Sequence, residues 1–499
     1  MLYSANLDSV LEKEEYLCLM EPLRQKIQTL GQLVKSEKIP VIIIFEGWGA
    51  SGKGSFISDI IENLDPRHFK VYSIDAPTDT EKRMPPLWRF WSRIPSSGQI
   101  ALFDRSWYYD VSVGKIDNNI DDETADEYIN NIRIFERQLT DNGYLVIKLF
   151  LHIGKEEQAK RFIKLKSDFS TAWRVVDRDI KRHKKYEAHF KAFDNMLSLT
   201  NTDYAPWTVV EANDRKFARV KIFNTIISRV EEMIEKKKQE HSTSEDIPSP
   251  KHNVIKMPLI SEISLDKSID PAEYKEILRE EQAKLRTLHN IIYQRKIPII
   301  IVYEGWDAAG KGGNIKRIAQ ALDPRGYEVV PISAPSHVEL AHHYMWRFWN
   351  NLPKTGHIQI FDRSWYGRVM VERIEKYTPP HIWKLAYNEI CEFEKYLYDW
   401  GAIIVKFWIH IDKDEQLRRF EHRQNTPEKR WKITDEDWRN REKWEQYEMC
   451  CNDMLKYTST EYAPWTVIES NDKKYARIKA IKTLINAIEE RLEREDNLF

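Results

Sequence analysis

The run Glu304-Gly305-Trp306-Asp307-Ala308-Ala309-Gly310-Lys311-Gly312-Gly313 carries the spacing G-x-x-x-x-G-K. That spacing predicts a phosphate-binding loop (P-loop), in which glycines let successive backbone N–H groups turn inward around phosphate oxygens. The helix that follows offers its N-terminus to the same anion, and Lys311 brings a mobile positive charge to the phosphoryl group. One departure is informative. Loops of this kind usually place Ser or Thr after the Lys to ligate magnesium, and here that residue is Gly312. A hard cation needs oxygen ligands, so carboxylates are the natural replacement. Asp307 inside the loop is one candidate. Asp362 is the other, in His357-Ile-Gln-Ile-Phe-Asp362-Arg363-Ser364-Trp365-Tyr366, a tract that looks like a strand running into an active-site loop.

These groups need a scaffold, and the chain contains it twice. KIPVIIIFEGWGASGKG from Lys38 returns as KIPIIIVYEGWDAAGKG from Lys296, an offset of 258. The same offset relates Asp104 to Asp362, His152 to His410, Trp173 to Trp431 and Asn213 to Asn471. A unit this long is a fused domain rather than a solenoid repeat. The polar stretch Lys236–Asn253 separates the copies, which predicts domains at 1–240 and 259–499 with a linker at 241–258.

Within the second copy, helical spacing of apolar residues predicts a helix over Leu278–Tyr293. Strands are predicted at Ile299–Tyr303, Tyr327–Ile332, His357–Phe361 and Ala402–Ile409, with a Trp-rich helix around His342–Asn350. Continuous apolar strands alternating with helices imply an α/β fold, each domain a mainly parallel sheet covered on both faces. A buried strand before the Gly-rich turn and a helix after it argue against a turn that binds nothing.

Composition narrows the function. Charged residues make up 31% and the net charge is −1, which argues against a general nucleic-acid coat while leaving room for a local basic groove. No apolar run is long enough to cross a bilayer, and the first residues lack the basic start and apolar core of an export signal. Four scattered cysteines without metal-ligand or disulfide spacing fit a reducing cytoplasm. The 17 tryptophans are chiefly expected to pack helices against sheet.

Together EGWDAAGKGG, LDPRGY, FDRSWYGRVMVERI and TEYAPWTVIESNDKKYARI resemble the polyphosphate kinase type 2 family, and the two-copy layout resembles its tandem-domain members. The resemblance implies a P-loop domain related to thymidylate kinases, with a helical lid, that moves a terminal phosphoryl from inorganic polyphosphate to AMP with magnesium (Mg2+) present. It implies catalytic roles for Asp307, Lys311, Asp362 and Arg363, with Asp307 and Asp362 holding the metal. Phosphate or polyphosphate contacts would come from Gly305, Gly310, Gly312, Gly313, Lys316, Arg317, Arg368 and Arg373. The lid would add Arg423, Lys429 and Arg430, and Glu372 would line the site. AMP and ADP are the expected small-molecule partners. Neither nucleic acid nor a membrane is expected, and a homo-oligomer stays open.

The copies differ where a polyanion would approach. Asp307 is matched by Gly49, Lys316 and Arg317 by Ser58 and Asp59, Arg368 by Asp110, and Glu372 by Gly114. Arg423, Lys429 and Arg430 are matched by Leu165, Thr171 and Ala172, whereas Lys53, Asp104 and Arg105 remain. Lost cations and a gained carboxylate both weaken anion binding, so the first copy is expected to be structural or regulatory. Two rival readings stand beside polyphosphate-dependent transfer: an ATP-dependent nucleoside monophosphate kinase, and a non-catalytic phosphate-binding scaffold.

Overall fold

The computed structural model describes residues 1–238 and 247–496. The expected linker at 241–258 therefore lies partly outside the described residues. The fold is α/β, built on two five-stranded sheets in which every strand pairing is parallel.

The first sheet contains β1 (Val41–Gly47), β2 (Phe69–Ser73), β3 (Ile100–Asp104), β4 (Leu145–His152) and β5 (Trp207–Glu211), in the order β2-β3-β1-β4-β5. The second contains β6 (Ile299–Gly305), β7 (Tyr327–Pro331), β8 (Ile358–Asp362), β9 (Ile403–His410) and β10 (Trp465–Glu469), in the order β10-β9-β6-β8-β7. Each strand of the second sheet starts 258 residues after its counterpart, so the repeat holds down to register. The four predicted strands of the second copy appear within a residue or two of their expected limits. The fifth, β10, was not anticipated.

Why these runs make a central parallel sheet follows from burial. All eight residues of β9 are buried, as are the first six of β6, so neither strand has a wet face to alternate against. Long helices cover them: Pro271–Gln294 packs on Lys473–Asp496, and Lys13–Ser36 on Arg215–Lys238. The predicted helix around His342–Asn350 is shorter than expected, a single turn over Trp346–Trp349. The Asn350 and Asn351 side chains donate to the Trp346 and Arg347 carbonyls, ending the helix before Pro353. Its aromatics go into the core, with Phe348 edge-on to Trp365 and Trp349 edge-on to Phe393.

Chain contacts divide the described residues into two compact units. One holds β1–β5 with His337–His343 added, the other β6–β10 with Pro77–Trp88 added. No helix among the described residues is long and apolar enough to cross a membrane.

Candidate active site

In the second sheet β6 is flanked by β8 on one side and β9 on the other, so the chain's direction of winding reverses at its carboxyl end. Ligand sites of open parallel sheets form at that reversal. The loop from Gly305 to Lys311 occupies it, and the helix Lys311–Ala319 begins there. Gly305 has φ +144°, and a Cβ at this position would collide with the Ile409 carbonyl of β9. Only glycine permits that approach. Gly310, at φ +113°, gives the left-handed turn into the helix. Gly312 is exposed with open space where a side chain would stand, and Gly313 lies against Arg477.

Lys311 curls over the loop, donating from Nζ to the Gly305 carbonyl at 2.7 Å and the Trp306 carbonyl at 3.2 Å. Burial pushes its pKa below the usual lysine value, and Arg363 pushes the same way, against Asp307, Asp362 and Glu304. Asp307 accepts from Arg363 Nη2 on Oδ1 at 3.0 Å and from Asn440 Nδ2 on Oδ2 at 2.9 Å. Asp362 is the last residue of β8, and its carboxylate faces the same Lys311–Arg363 pair electrostatically. Four predicted residues, Asp307, Lys311, Asp362 and Arg363, are thus brought together.

Arg363 adopts φ +68°, a conformation few non-glycine residues hold, while its N–H donates to the Tyr303 carbonyl at 2.9 Å. Ser364 then donates to the buried Glu304 carboxylate at 2.8 Å, anchoring the loop to β6. Burial raises the Glu304 pKa against the opposing Ser364 hydrogen bond and the charge of Lys311. Below this loop lies a buried cluster. Lys406 Nζ donates to Glu394 at 2.7 Å, the Tyr366 hydroxyl at 2.8 Å and the Thr458 carbonyl at 2.8 Å. The other Glu394 oxygen accepts from Trp365 Nε1 and the Tyr366 hydroxyl.

Beyond the loop lies a cavity of about 270 Å³ whose charged lining is entirely basic: Arg419, His422, Arg423, Lys429, Lys432, Lys473 and Arg477. Burial pushes Lys473 down to about 8, and the nearby Arg419, Arg418 and Arg477 guanidiniums add to the shift against Glu415. The helix Lys413–Asn425, the turn Pro427–Lys432 and the helix Asp435–Glu442 form the lid region. Arg423 and Lys429 therefore line a basic cleft. Arg430 instead donates to the Gln424 carbonyl and is not among the lining residues. Lys316 and Arg317 sit in the last turn of their helix, also outside that lining.

Arg368 and Arg373 have protein partners. Arg368 pairs with Glu372 at 2.8 Å and lies 4.3 Å over the Tyr344 ring. Arg373 pairs with Asp453 at 2.7 Å and lies 4.3 Å over Trp383. Glu372 accepts from Thr378 as well.

Sequence reasoning missed Arg419. Its guanidinium donates to the Ala308 and Ala309 carbonyls at 3.0 and 2.7 Å and to the Ser470 and Asn471 carbonyls, clamping the P-loop from behind. Arg161 makes the equivalent contacts in the first copy, and that identity across the repeat was the available signal.

The two carboxylates suit a hard divalent cation. Among the described residues no cluster of three or more His, Cys, Asp or Glu forms an all-protein cage. Magnesium in phosphoryl-transfer sites is held by one or two carboxylates together with water and substrate oxygens. Asp307 uses two of its roughly four lone-pair directions on Arg363 and Asn440, leaving capacity for a metal.

The family described as Polyphosphate kinase 2 matches the chain over residues 10–239 and again over 268–496. A Polyphosphate:AMP phosphotransferase from Pseudomonas aeruginosa is 39% identical over 490 residues, spanning 98% of this chain and 99% of that protein. One from Pseudomonas syringae pv. tomato is 36% identical over 496 residues, 99% of each. A crystal structure described as polyphosphate kinase 2 from Pseudomonas aeruginosa PA01 aligns with a TM-score of 0.85 at 37% identity, covering 99% of this chain and 100% of that one. With both sheets and both P-loops falling inside the matched regions, this chain belongs to the polyphosphate kinase 2 family.

Proposed function

We propose that the second copy transfers the terminal phosphoryl group of inorganic polyphosphate to AMP, giving ADP. The observation that carries this reading is the cleft beside the P-loop, lined by six Lys and Arg side chains with His422 and by no carboxylate, Glu415 pairing with Arg419 from outside that lining. ATP needs a short phosphate site and a base pocket, whereas a long run of cations suits a long polyanion. The full-length relatives named Polyphosphate:AMP phosphotransferase support the same donor and acceptor.

The loop amides and Lys311 hold the phosphoryl being transferred, and the cleft from Arg419 to Arg477 aligns the chain behind it. Arg363, fixed by Asp307, points its charge at oxygens that gain negative charge during in-line displacement. No side chain needs to act as base, since an acceptor phosphate is already ionised near neutral pH. Asp307 and Asp362 would hold magnesium, which would supply charge neutralisation for the phosphoryl group being transferred. The first copy, with Gly49 in place of a loop carboxylate, is assigned no turnover. Four free cysteines, three of them buried, support a reducing cytoplasmic setting.

The test is a donor–acceptor matrix on the purified chain with magnesium: polyphosphate or ATP against AMP, GMP and ADP. ADP formation from polyphosphate and AMP is expected. ATP outperforming polyphosphate as donor would replace this reading with an ATP-dependent kinase.

A further inference from the structure

The first copy keeps a P-loop, and although Ser58, Asp59 and Asp110 remove positive charge around it, three changes beside the loop itself favour a small anion. Lys53 again curls onto its loop, donating to the Gly47 and Trp48 carbonyls at 3.1 Å each. The helix Lys53–Ile61 starts there behind the left-handed Gly52. Where Asp307 stands in the second copy the first has Gly49, which removes a negative charge from the loop. Where Asn440 reaches Asp307, the first copy has Arg182. Where the Tyr447 hydroxyl bonds Asn440 at 3.2 Å, the first copy has His189. A carboxylate has gone, and a guanidinium and an imidazole have arrived.

These changes converge on a cavity of about 40 Å³ lined by Lys53, Arg105, Arg182 and His189 together with Tyr109 and Gly49. His189 is 1% exposed, yet neither ring nitrogen has a hydrogen-bond partner. The nearest carboxylate oxygen, on Asp117, is 3.9 Å from Nε2. A buried imidazole without partners is costly unless something polar occupies the space it faces. Arg182 is held in place by Asp117 at 2.5–2.8 Å.

Two carboxylates offset part of this charge, Asp117 by pairing with Arg182 and Asp104 by facing Lys53, which leaves Arg105 and the unpartnered His189 ring facing the cavity. Burial pushes the Glu46 carboxyl up, toward its neutral form, while it accepts from Ser106 at 2.8 Å. Asp179, also at the cavity edge, is occupied in capping its own helix through the Val176 N–H. Size sets the rest. About 10–15 Å³ of such space holds one water, so this cavity has room for about three or four, the bulk of one tetrahedral oxyanion. A phosphate chain has no track here, because Leu165 and Thr171 replace Arg423 and Lys429, and Asp59 neutralises Arg219 at 2.6 Å.

We propose that the first copy's P-loop binds one phosphate-sized dianion, without a metal ion, in the cavity bounded by Lys53, Arg105, Arg182 and His189. The site is independent of which donor the second copy uses. With Gly49 in place of a loop carboxylate, a bare anion beside Lys53 and Arg105 meets one negative charge fewer than in the second copy.

The experiment uses the full chain carrying Lys311→Ala, so that the second P-loop contributes little. Labelled inorganic phosphate is measured by equilibrium dialysis in EDTA, with circular dichroism melts as the check on folding. Saturable phosphate binding is expected, weakened at least tenfold by added Lys53→Ala. The pair Arg182→Asn/His189→Tyr, which installs the second copy's own residues, should weaken it equally and decides the matter if Lys53→Ala fails to fold. Undiminished binding in the folded pair, or binding that appears only with magnesium, overturns the proposal. So does tripolyphosphate or AMP outcompeting orthophosphate at the same residues, since neither fits one phosphate-sized cavity.

Discussion

Asp307 and Lys311 share one loop, but different contacts hold them: Asp307 is fixed by Arg363 and Asn440, and Lys311 by the loop's own carbonyls. Both would act on charge that grows as the phosphoryl moves, where one lost electrostatic partner costs about 3–4 kcal/mol. Lys311→Ala and Asp307→Ala are each expected to lower kcat by at least about a hundredfold, with melting temperature little changed. Near-normal turnover by folded Asp307→Ala would remove its metal role. Lys473 gives a pH signature. With its pKa at about 8, it sheds its proton as pH rises through that value, and the cleft loses one positive charge. The KM for polyphosphate should therefore climb from pH 7 to 9, and Lys473→Gln should flatten that climb in steady-state kinetics. The four central residues were legible because each sits at a fixed spacing from a glycine or a strand end. Arg419 was not, since its effect acts on carbonyls 110 residues away in sequence. Arg368 and Arg373 were read as phosphate ligands by their place in a motif, and only coordinates reveal Glu372, Asp453 and the aromatic rings they pair with.

The strand–loop element that carries Asp362 and Arg363 stands on the buried Lys406–Glu394 pair, both side chains fully inaccessible. Every polar partner in that cluster is satisfied, which makes its interruption expensive. Lys406→Met strands the Glu394 carboxylate in the core, so urea unfolding should report a loss of about 3–5 kcal/mol. A second expectation at this scale concerns the basic cleft. Attraction of a polyanion to cations is screened over about 8–10 Å at 0.1–0.15 M salt. Polyphosphate KM should therefore rise steeply with added salt while the KM for AMP changes less, and a flat polyphosphate KM would remove the cleft from the donor path. The long apolar strands were legible from their runs. β10 was not, because five residues opening on a tryptophan after Pro464 offer no such run, and its identity depends on pairing beside β9. The Trp346–Trp349 turn was over-extended for the opposite reason: its aromatic spacing satisfies a core contact as readily as a helix face.

Across the whole molecule the same buried histidine occurs once per sheet. His410 accepts from Trp306 Nε1 at 3.1 Å and His152 from Trp48 Nε1 at 3.0 Å, and burial pushes both imidazoles down to about 4. An unfolded histidine titrates near 6.5, so the unfolded chain takes up these protons first. Stability contributed by the two neutral rings is thus intact above pH 6.5 and drains away as pH falls toward 4. The slope is of order 1.4 kcal/mol per pH unit per histidine across that window. Urea denaturation at stepped pH should show this slope, and His152→Asn/His410→Asn, which keeps an acceptor without the titration, should reduce it.

Arg105 and Arg363 share one more feature, the left-handed backbone at φ +66° and +68°. The second occurs beside a loop carboxylate and the first does not, yet the torsion is the same within two degrees. Each is followed by a serine bound to a buried glutamate, Ser106 to Glu46 and Ser364 to Glu304, both at 2.8 Å. The unfavourable torsion therefore belongs to the joint between strand and loop, and it persists in a copy whose chemistry has changed. Had only the second copy existed, that backbone would have looked like strain stored for catalysis. The duplicate acts as a matched control and assigns it to architecture.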